Sequence, residues 1–155
     1  MSDTTAPGAQ GPAPNFILRS QYIKDLSFEN PQAPDIFRGQ PKQPEVQVNI
    51  DVSARPMGVP DEYETVLTIT ASAKSDGKDV FMVDLTFGGV FHVSGFPPDA
   101  LQPILLIEIP RLLFPFARNI VADVTRDSGF PPLIIHQVDF VAMFRQRINA
   151  PAGQA

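Results

Sequence analysis

The stretch that decides the fold is VFMVDLTFGGVFHV, residues Val80–Val93. Side chains alternate between the two faces of a strand, so this stretch has one wholly apolar face, made of Phe81, Val83, Leu85 and Phe87. The other face is mixed and consists of Val80, Met82, Asp84 and Thr86. The adjacent glycines Gly88 and Gly89 predict a bulge or a kink before the alternation resumes. We therefore expect a strand with one covered face and an acidic group on the other face.

Three earlier segments also have the patterning of strands: Phe16–Glu29, Glu45–Val52 and Tyr63–Ala73. Alternation in the first segment predicts one face made of Tyr22, Lys24, Leu26 and Phe28, and a second, more acidic face made of Ile23, Asp25, Ser27 and Glu29. An Asp-Gly pair within Ser75–Lys78 predicts a hairpin turn that leads into the opening strand. The four segments together predict an antiparallel sheet.

The connection Asn30–Pro44 contains four prolines, a density that blocks both a helix and an interior strand. Phe37 is a large aromatic residue within it. A structureless loop of this length is uncommon in a compact domain and is often functional, whereas the alternative is a plain surface crossover between strands. The sequence leaves both interpretations open.

The chain after Gly95 changes from strand to helix patterning. A helix is predicted from Pro110 to the Ser128-Gly129 pair, with an apolar stripe made of Leu113, Phe116, Ala117, Ile120, Val121 and Val124. Asp139 is a plausible N-cap for a short final helix, Phe140–Asn149. The predicted class is α+β, with a four-stranded antiparallel sheet followed by two helices on one of its faces.

Composition places limits on the function. The chain has 155 residues, 43% of them hydrophobic, and a net charge of −5, which argues against general nucleic-acid binding and against anionic membrane surfaces. It has no cysteine, no signal-peptide pattern and no apolar run long enough to span a bilayer, so we expect a cytoplasmic protein without membrane insertion. The predicted organisation is a disordered N-terminal tail (residues 1–15), one folded domain (16–149) and a short flexible C-terminal tail (150–155).

The sequence contains no pattern that is typical of catalysis or metal binding. The two histidines, His92 and His136, cannot form a histidine–thiolate zinc site without cysteine, and the common nucleotide, hydrolase and metalloprotease motifs are missing. We therefore predict a protein that is not an enzyme and has no cofactor. The segment Leu105–Phe116 is more apolar than one surface helix needs, which indicates burial between subunits or a groove for an apolar ligand.

Several motifs, in this order, resemble the SecB family of bacterial protein-export chaperones. They are YIKDLSFENPQAP (Tyr22–Pro34), PEVQVNIDV (Pro44–Val52), YETVLTITA (Tyr63–Ala71), GGVFHVSG (Gly88–Gly95), PRLLFPFAR (Pro110–Arg118) and GFPPLIIHQVDFVAMF (Gly129–Phe144). The resemblance implies a homotetramer, a dimer of dimers, that holds unfolded precursors without ATP and delivers them to the SecA motor. It also implies long surface grooves for extended, aromatic-rich segments.

The resemblance also implies roles for particular residues. The SecA-binding surface would include Asp25, Glu29, Met82 and Asp84, and the client-binding groove would include Phe37, Phe140 and Phe144. Asp84 stands where the family often has Glu, and the acidic C-terminal tail of the family is reduced to PAGQA. Two alternatives remain: a SecB-like holdase dedicated to a single client, and an oligomeric scaffold or ligand-binding domain without chaperone activity.

Overall fold

The computed structural model describes residues 13–39 and 42–149 of the chain. Four strands form one antiparallel sheet in the order β1-β4-β3-β2, which confirms the predicted sheet. The strands are β1 (Asn15–Glu29), β2 (Glu45–Pro56), β3 (Glu62–Ser75) and β4 (Lys78–Ser94). The predicted C-terminal tail and most of the predicted N-terminal tail lie outside the described residues.

The apolar face of β4 is the centre of the core, as its patterning predicts. Val83 and Leu85 are fully buried and Phe81 and Phe87 nearly so, and most of this set packs with residues of β3 and of the long helix in one hydrophobic cluster. We define the inner face of the sheet by these four residues. The outer face is the opposite one, and it includes Met82, Asp84 and Thr86.

The prediction of a bulge at the glycine pair is wrong. Gly88 and Gly89 pair in unbroken register with both neighbouring strands. On β4 the irregularity lies at Val80 instead, because Ala73 pairs with Phe81 and Lys74 with Asp79. As a result Val80 does not share the outer face with Met82, and it is buried in a small cluster with Phe81.

The predicted faces of β1 are also corrected by bulges. The register between β1 and β4 shifts at Arg19 and again at Lys24. Because directly paired residues share a face of the sheet, Tyr22, paired with Gly88, lies on the outer face, whereas Leu26, paired with Leu85, lies on the inner face. Strict alternation predicted Tyr22 and Leu26 on one face. The bulge at Lys24 places them on opposite faces.

The long helix begins earlier than predicted, well before Pro110. A 3₁₀ turn (Pro98–Ala100), one α-helical turn α1 (Leu101–Pro103) and a π-helical turn (Ile104–Glu108) lead without a break into α2 (Ile109–Asp127). The amide of Ile109 donates to the carbonyl of Ile104, five residues back, and this wider turn directly precedes Pro110, which has no amide hydrogen to donate.

The ends of the helices follow the predicted capping. Ser128 caps α2 and Gly129 follows it with φ of +96°, the left-handed position that favours glycine. The final helix α3 (Phe140–Asn149) begins after Asp139, whose Oδ1 accepts a hydrogen bond from the amide of Ala142 at 2.9 Å. Of the predicted apolar stripe on α2, Phe116 is the exception, since it is 52% exposed.

Two connections complete the fold. The β3–β4 hairpin has positive φ at both Asp76 and Gly77, as expected for the predicted Asp-Gly turn. The long loop after β1 is not structureless, because it contains a short 3₁₀ helix, Asp35–Phe37. Within residues 13–39 and 42–149, no helix is both long and apolar enough to cross a membrane.

Candidate functional site

Two neighbouring strands bring the predicted partner-binding residues onto one surface. Glu29 pairs directly with Met82, and Asp25 pairs with Thr86, so all four predicted residues lie on the outer face along β1 and β4. Asp25, Glu29 and Asp84 are exposed and Met82 is half-buried. We refer to Asp25, Glu29, Met82 and Asp84 as the acidic surface; it offers three carboxylates and one apolar side chain, Met82, which lies beside Glu29 at one end of the set.

A buried carboxylate lies next to this surface. Glu64 of β3 is only 3% exposed and meets Tyr22, Lys24 and Arg55 on the outer face. Burial alone raises the pKa of Glu64, but hydrogen bonds from these three side chains outweigh it and lower the pKa to about 2. Burial and the bond to Glu64 raise the pKa of the Tyr22 phenol to about 12. We call these four residues the Glu64 cluster.

A groove of about 890 Å³ is lined by the long loop after β1, the β3–β4 hairpin and the segment after α2. One wall is the 3₁₀ helix with Ile36 and Phe37, and a second wall, in contact with the first through Phe37 and Phe130, is the extended segment after α2, Gly129–Leu133. Val80 and Phe81 form part of the lining, so the bulge on β4 turns an additional apolar side chain toward this groove. Phe37 is 47% exposed there.

A line of aromatic rings begins in the groove with Phe37, Phe130 and Phe81 and continues behind it to Phe28. Ring centroids are 5.2 Å apart between Phe37 and Phe130, 5.1 Å between Phe130 and Phe81, and 5.8 Å between Phe81 and Phe28. Such separations are those of favourable aromatic pairs. The groove therefore offers a polarisable apolar surface of the kind that accommodates many aromatic and aliphatic side chains.

Polar contacts hold both walls of the groove. Thr125, which is fully buried, accepts a hydrogen bond from the amide of Leu133 at 2.9 Å, and its carbonyl accepts one from the amide of Phe130 at 3.1 Å. In the loop wall, Gln32 donates to the carbonyl of Asp79 at 2.7 Å. These bonds fix backbone segments and leave the apolar side chains free for contact.

The three predicted groove residues do not lie together. Phe140 is 2% exposed and packs edge-on against Phe114, with ring centroids 5.9 Å apart. Phe144 is half-buried and borders a separate cavity of about 350 Å³, next to Met143 and Leu106. In this conformation only Phe37 belongs to the large groove.

Sequence reasoning missed several functional candidates. Phe130 and Phe81 line the groove, although the sequence assigns no role to the first and predicts the second only as part of the apolar face of its strand. The Glu64 cluster was also missed, because alternation marks Glu64 as just another outward acid in a Thr-rich strand. The available signal was the pair Gly88-Gly89, because glycine in a strand also indicates the close approach of another group. In the structure that group is the Tyr22 ring, which lies over Gly88.

The described residues contain no group of three or more His, Cys, Asp or Glu side chains that could hold a metal ion. A flat, polar sheet face with three exposed carboxylates, together with an aromatic groove, is typical of an α+β protein that binds extended polypeptides. The family model described as "Preprotein translocase subunit SecB" matches residues 9–151. The chain belongs to the SecB family, and its function is that of a protein-export chaperone.

Several relatives named "Protein-export protein SecB" align over most of the chain. The one from Azorhizobium caulinodans is 51% identical over 140 residues, which cover 90% of this chain and 87% of that protein. The one from Agrobacterium fabrum is 50% identical over 153 residues, covering 98% and 95% respectively. The one from Afipia carboxidovorans is 47% identical over 155 residues, covering 99% and 96%.

A solved structure shares the fold at lower sequence similarity. It is a SecB-like chaperone of Mycobacterium tuberculosis in complex with a ChAD peptide from an antitoxin, and it superimposes with a TM-score of 0.64 at 15% identity. The alignment covers 80% of this chain and 91% of that chain. At this identity the similarity shows the common architecture of sheet and helices.

Proposed function

We propose that the chain is a cytoplasmic, ATP-independent holdase that keeps precursor proteins unfolded in its groove and delivers them to SecA. The observation on which this depends most is the groove of about 890 Å³, which is lined by three phenylalanines in ring contact, the exposed Phe37, Phe130 and Phe81. Membership of a family of export chaperones supports the same function. The holding step requires neither a cofactor nor catalysis.

The physical basis of holding is apolar burial without directional contacts. Each Å² of apolar surface removed from water contributes about 25 cal/mol, independent of the client's sequence. A folded client hides its apolar segments, so the groove selects chains that are not folded. Phe144 and its cavity beside α3 form a second contact for a long client, and Phe140 joins it only when α3 separates from Phe114.

Client holding is tested with a reduced, unfolded precursor, by measuring whether the chain suppresses its aggregation at stoichiometric ratio. Phe37→Ser should weaken this suppression because it removes the exposed ring of the groove, and Phe144→Ser should do so to a smaller extent. Failure of the wild-type chain to suppress aggregation would favour a scaffold. Capture of a single client instead of many would favour a dedicated holdase.

The acidic surface is proposed as the SecA-binding site. Its three exposed carboxylates suit a basic partner element, and Met82 beside Glu29 supplies an apolar contact. Binding measured by calorimetry should weaken as salt concentration rises, because exposed charges are screened. Asp84→Lys should reduce affinity strongly without changing client holding.

Asp127→Lys is a matched control for Asp84→Lys. It makes the same change of charge at the last residue of α2, which is 71% exposed and is not part of the acidic surface. Affinity that falls equally in both variants would show a general charge effect and would remove Asp84 from the site. Affinity unchanged in Asp84→Lys would do the same.

We propose that the functional unit is a homotetramer, a dimer of dimers. Edge strand β1 exposes Ile17, Leu18 and Ile23 by 43–48%, and α2 exposes Leu112 and Phe116 by 50% and 52%. These side chains form apolar surface that a lone subunit leaves in water, as expected for interfaces between subunits. A single domain, residues 16–149, supplies both surfaces. Native mass spectrometry that shows only monomer would refute the tetramer.

A further inference from the structure

The Glu64 cluster connects three strands across a fourth. Glu64 of β3 accepts a hydrogen bond from Tyr22, and its Oε1 lies 3.0 Å from Nζ of Lys24 and 2.9 Å from Nε of Arg55. Tyr22 and Lys24 belong to β1, and Arg55 belongs to the opposite edge strand, β2. The intervening strand β4 presents Gly88 at this point, which has no side chain to block the contact.

Gly88 allows this arrangement because Tyr22 lies directly over it. A Cβ added to Gly88 would be 3.1 Å from Cε2 and 3.4 Å from Cζ of Tyr22. The first distance is tighter than ordinary van der Waals contact, so the Tyr22 ring would have to shift by a few tenths of an ångström to admit a side chain at Gly88. Tyr22 of β1 therefore lies over Gly88 of β4 and contacts Glu64 of β3.

One member of the Glu64 cluster, Lys24, lies at the bulge that determines which face of the sheet Asp25 and Glu29 occupy. Ile23 pairs with Phe87 and Asp25 with Thr86, so Lys24 is the additional residue of the bulge. If Lys24 were paired in the ladder instead of bulged, the alternation from Tyr22 would place Asp25 on the inner face. Because Lys24 is bulged, Tyr22, Asp25 and Glu29 all lie on the outer face. Lys24 is also one of the three residues that Glu64 binds.

We propose that Glu64 is a positioning residue for SecA binding: it fixes the bulge at Lys24 and so presents Asp25 and Glu29 beside Met82 and Asp84. Glu64 itself is 3% exposed and does not offer its carboxylate to a partner. Its influence on binding passes through β1. This inference depends on the proposed role of the acidic surface in SecA binding.

The experiment compares Glu64→Gln with the matched control Glu62→Gln in the full chain. Glu62 lies on the same strand and the same face, and among residues 13–39 and 42–149 it forms one long ion pair, 3.9 Å to Arg19. Its substitution therefore makes the same change of charge without releasing Lys24. We expect Glu64→Gln to weaken SecA binding about fivefold or more, and Glu62→Gln to change it little. Client holding and tetramer mass should be unchanged in both.

A double-mutant cycle with Asp25→Asn separates positioning from a direct electrostatic effect. If Glu64 acts by placing Asp25, the double variant should bind SecA better than the product of the two single effects predicts. Independent, multiplicative effects would overturn the inference, as would equal affinities of Glu64→Gln and Glu62→Gln. If wild-type chain does not bind SecA, the proposed function fails and the inference fails with it.

Tyr22→Phe provides a second variant if Glu64→Gln does not fold. It removes only the phenol hydroxyl that contacts Glu64, and it keeps the ring over Gly88. The expected result is a smaller loss of SecA affinity with client holding intact. Unchanged SecA affinity in Tyr22→Phe, when Asp25→Asn does reduce it, would refute the role of the cluster.

Discussion

Replacing Glu64 by Gln should lower the stability of the protein in a way that depends on pH. The pKa of this carboxyl falls from 4.5 to about 2 on folding. Each unit of pKa corresponds to about 1.4 kcal/mol, so the charged form contributes on the order of 3 kcal/mol at neutral pH. This value is an upper limit, because the side chains of Lys24 and Arg55 are 40% and 62% exposed and water screens their charge.

The sign of the pH dependence follows from the lowered pKa. The stabilisation is complete above about pH 4.5, where Glu64 is ionised in both states, and it is lost as the pH falls toward about 2. Urea unfolding of wild type and Glu64→Gln, at one fixed protein concentration and several pH values between 7 and 2, measures this difference. Fixed concentration matters because subunit association also stabilises the folded state.

The result that would refute this reasoning is a stability difference that stays constant between pH 7 and pH 2. Such a result would mean that Gln loses packing or hydrogen bonds, and that the charge of Glu64 contributes nothing. The alkaline range gives an independent check through Tyr22, whose pKa is raised to about 12. Its stabilising effect is complete below pH 10 and is lost as the pH rises through 12, and the ultraviolet absorbance of its phenolate should shift to lower pH in Glu64→Gln.

Three further substitutions test the groove and the subunit interface. Thr125→Val should cost about 1–3 kcal/mol in urea unfolding, because it leaves the amide of Leu133 without its partner; an unchanged midpoint would contradict the role of that bond. Gly129→Ala should cost about 1–3 kcal/mol and weaken client holding but not SecA binding, because φ is +96° and the new methyl would lie 2.8 Å from the Phe37 ring; normal holding would show that this contact is dispensable. Phe116→Glu should yield smaller oligomers by native mass spectrometry with unchanged circular dichroism, since the ring is 52% exposed within one subunit; an intact tetramer would place the interface elsewhere.

The sequence predicts the sheet well because its signals are local. Alternation identifies β2, β3 and β4, and the Asp-Gly pair identifies the hairpin between the last two. The side-chain faces were less predictable, because bulges at Val80 and Lys24 each shift the alternation by one residue. Their stabilising contacts come from other strands, as with Glu64 of β3 and Lys24 of β1, so the pattern within one strand cannot locate them.

The helices show the same limit. Pro110 was predicted as a helix start because proline is favourable there, yet the π-helical turn Ile104–Glu108 lets the helix continue through it. Phe37 could be predicted as a groove residue from its loop and from family resemblance. Phe130 and Phe81 could not, because the groove forms only when the segment after α2 approaches the end of β4.

The adjacent glycines of β4 make the sheet as thin as a polypeptide can be. On the outer side, Gly88 lies against the ring of Tyr22; on the inner side, a Cβ at Gly89 would be 3.1 Å from Cδ2 of Leu113 in α2. Only the backbone of β4 therefore separates Leu113 of α2 from the Tyr22 ring of the Glu64 cluster. A methyl group added at Gly88 would press on that ring, and one added at Gly89 would press on the buried side chains of Phe91 and Leu113. Substitutions at two neighbouring positions therefore act on opposite faces of the sheet.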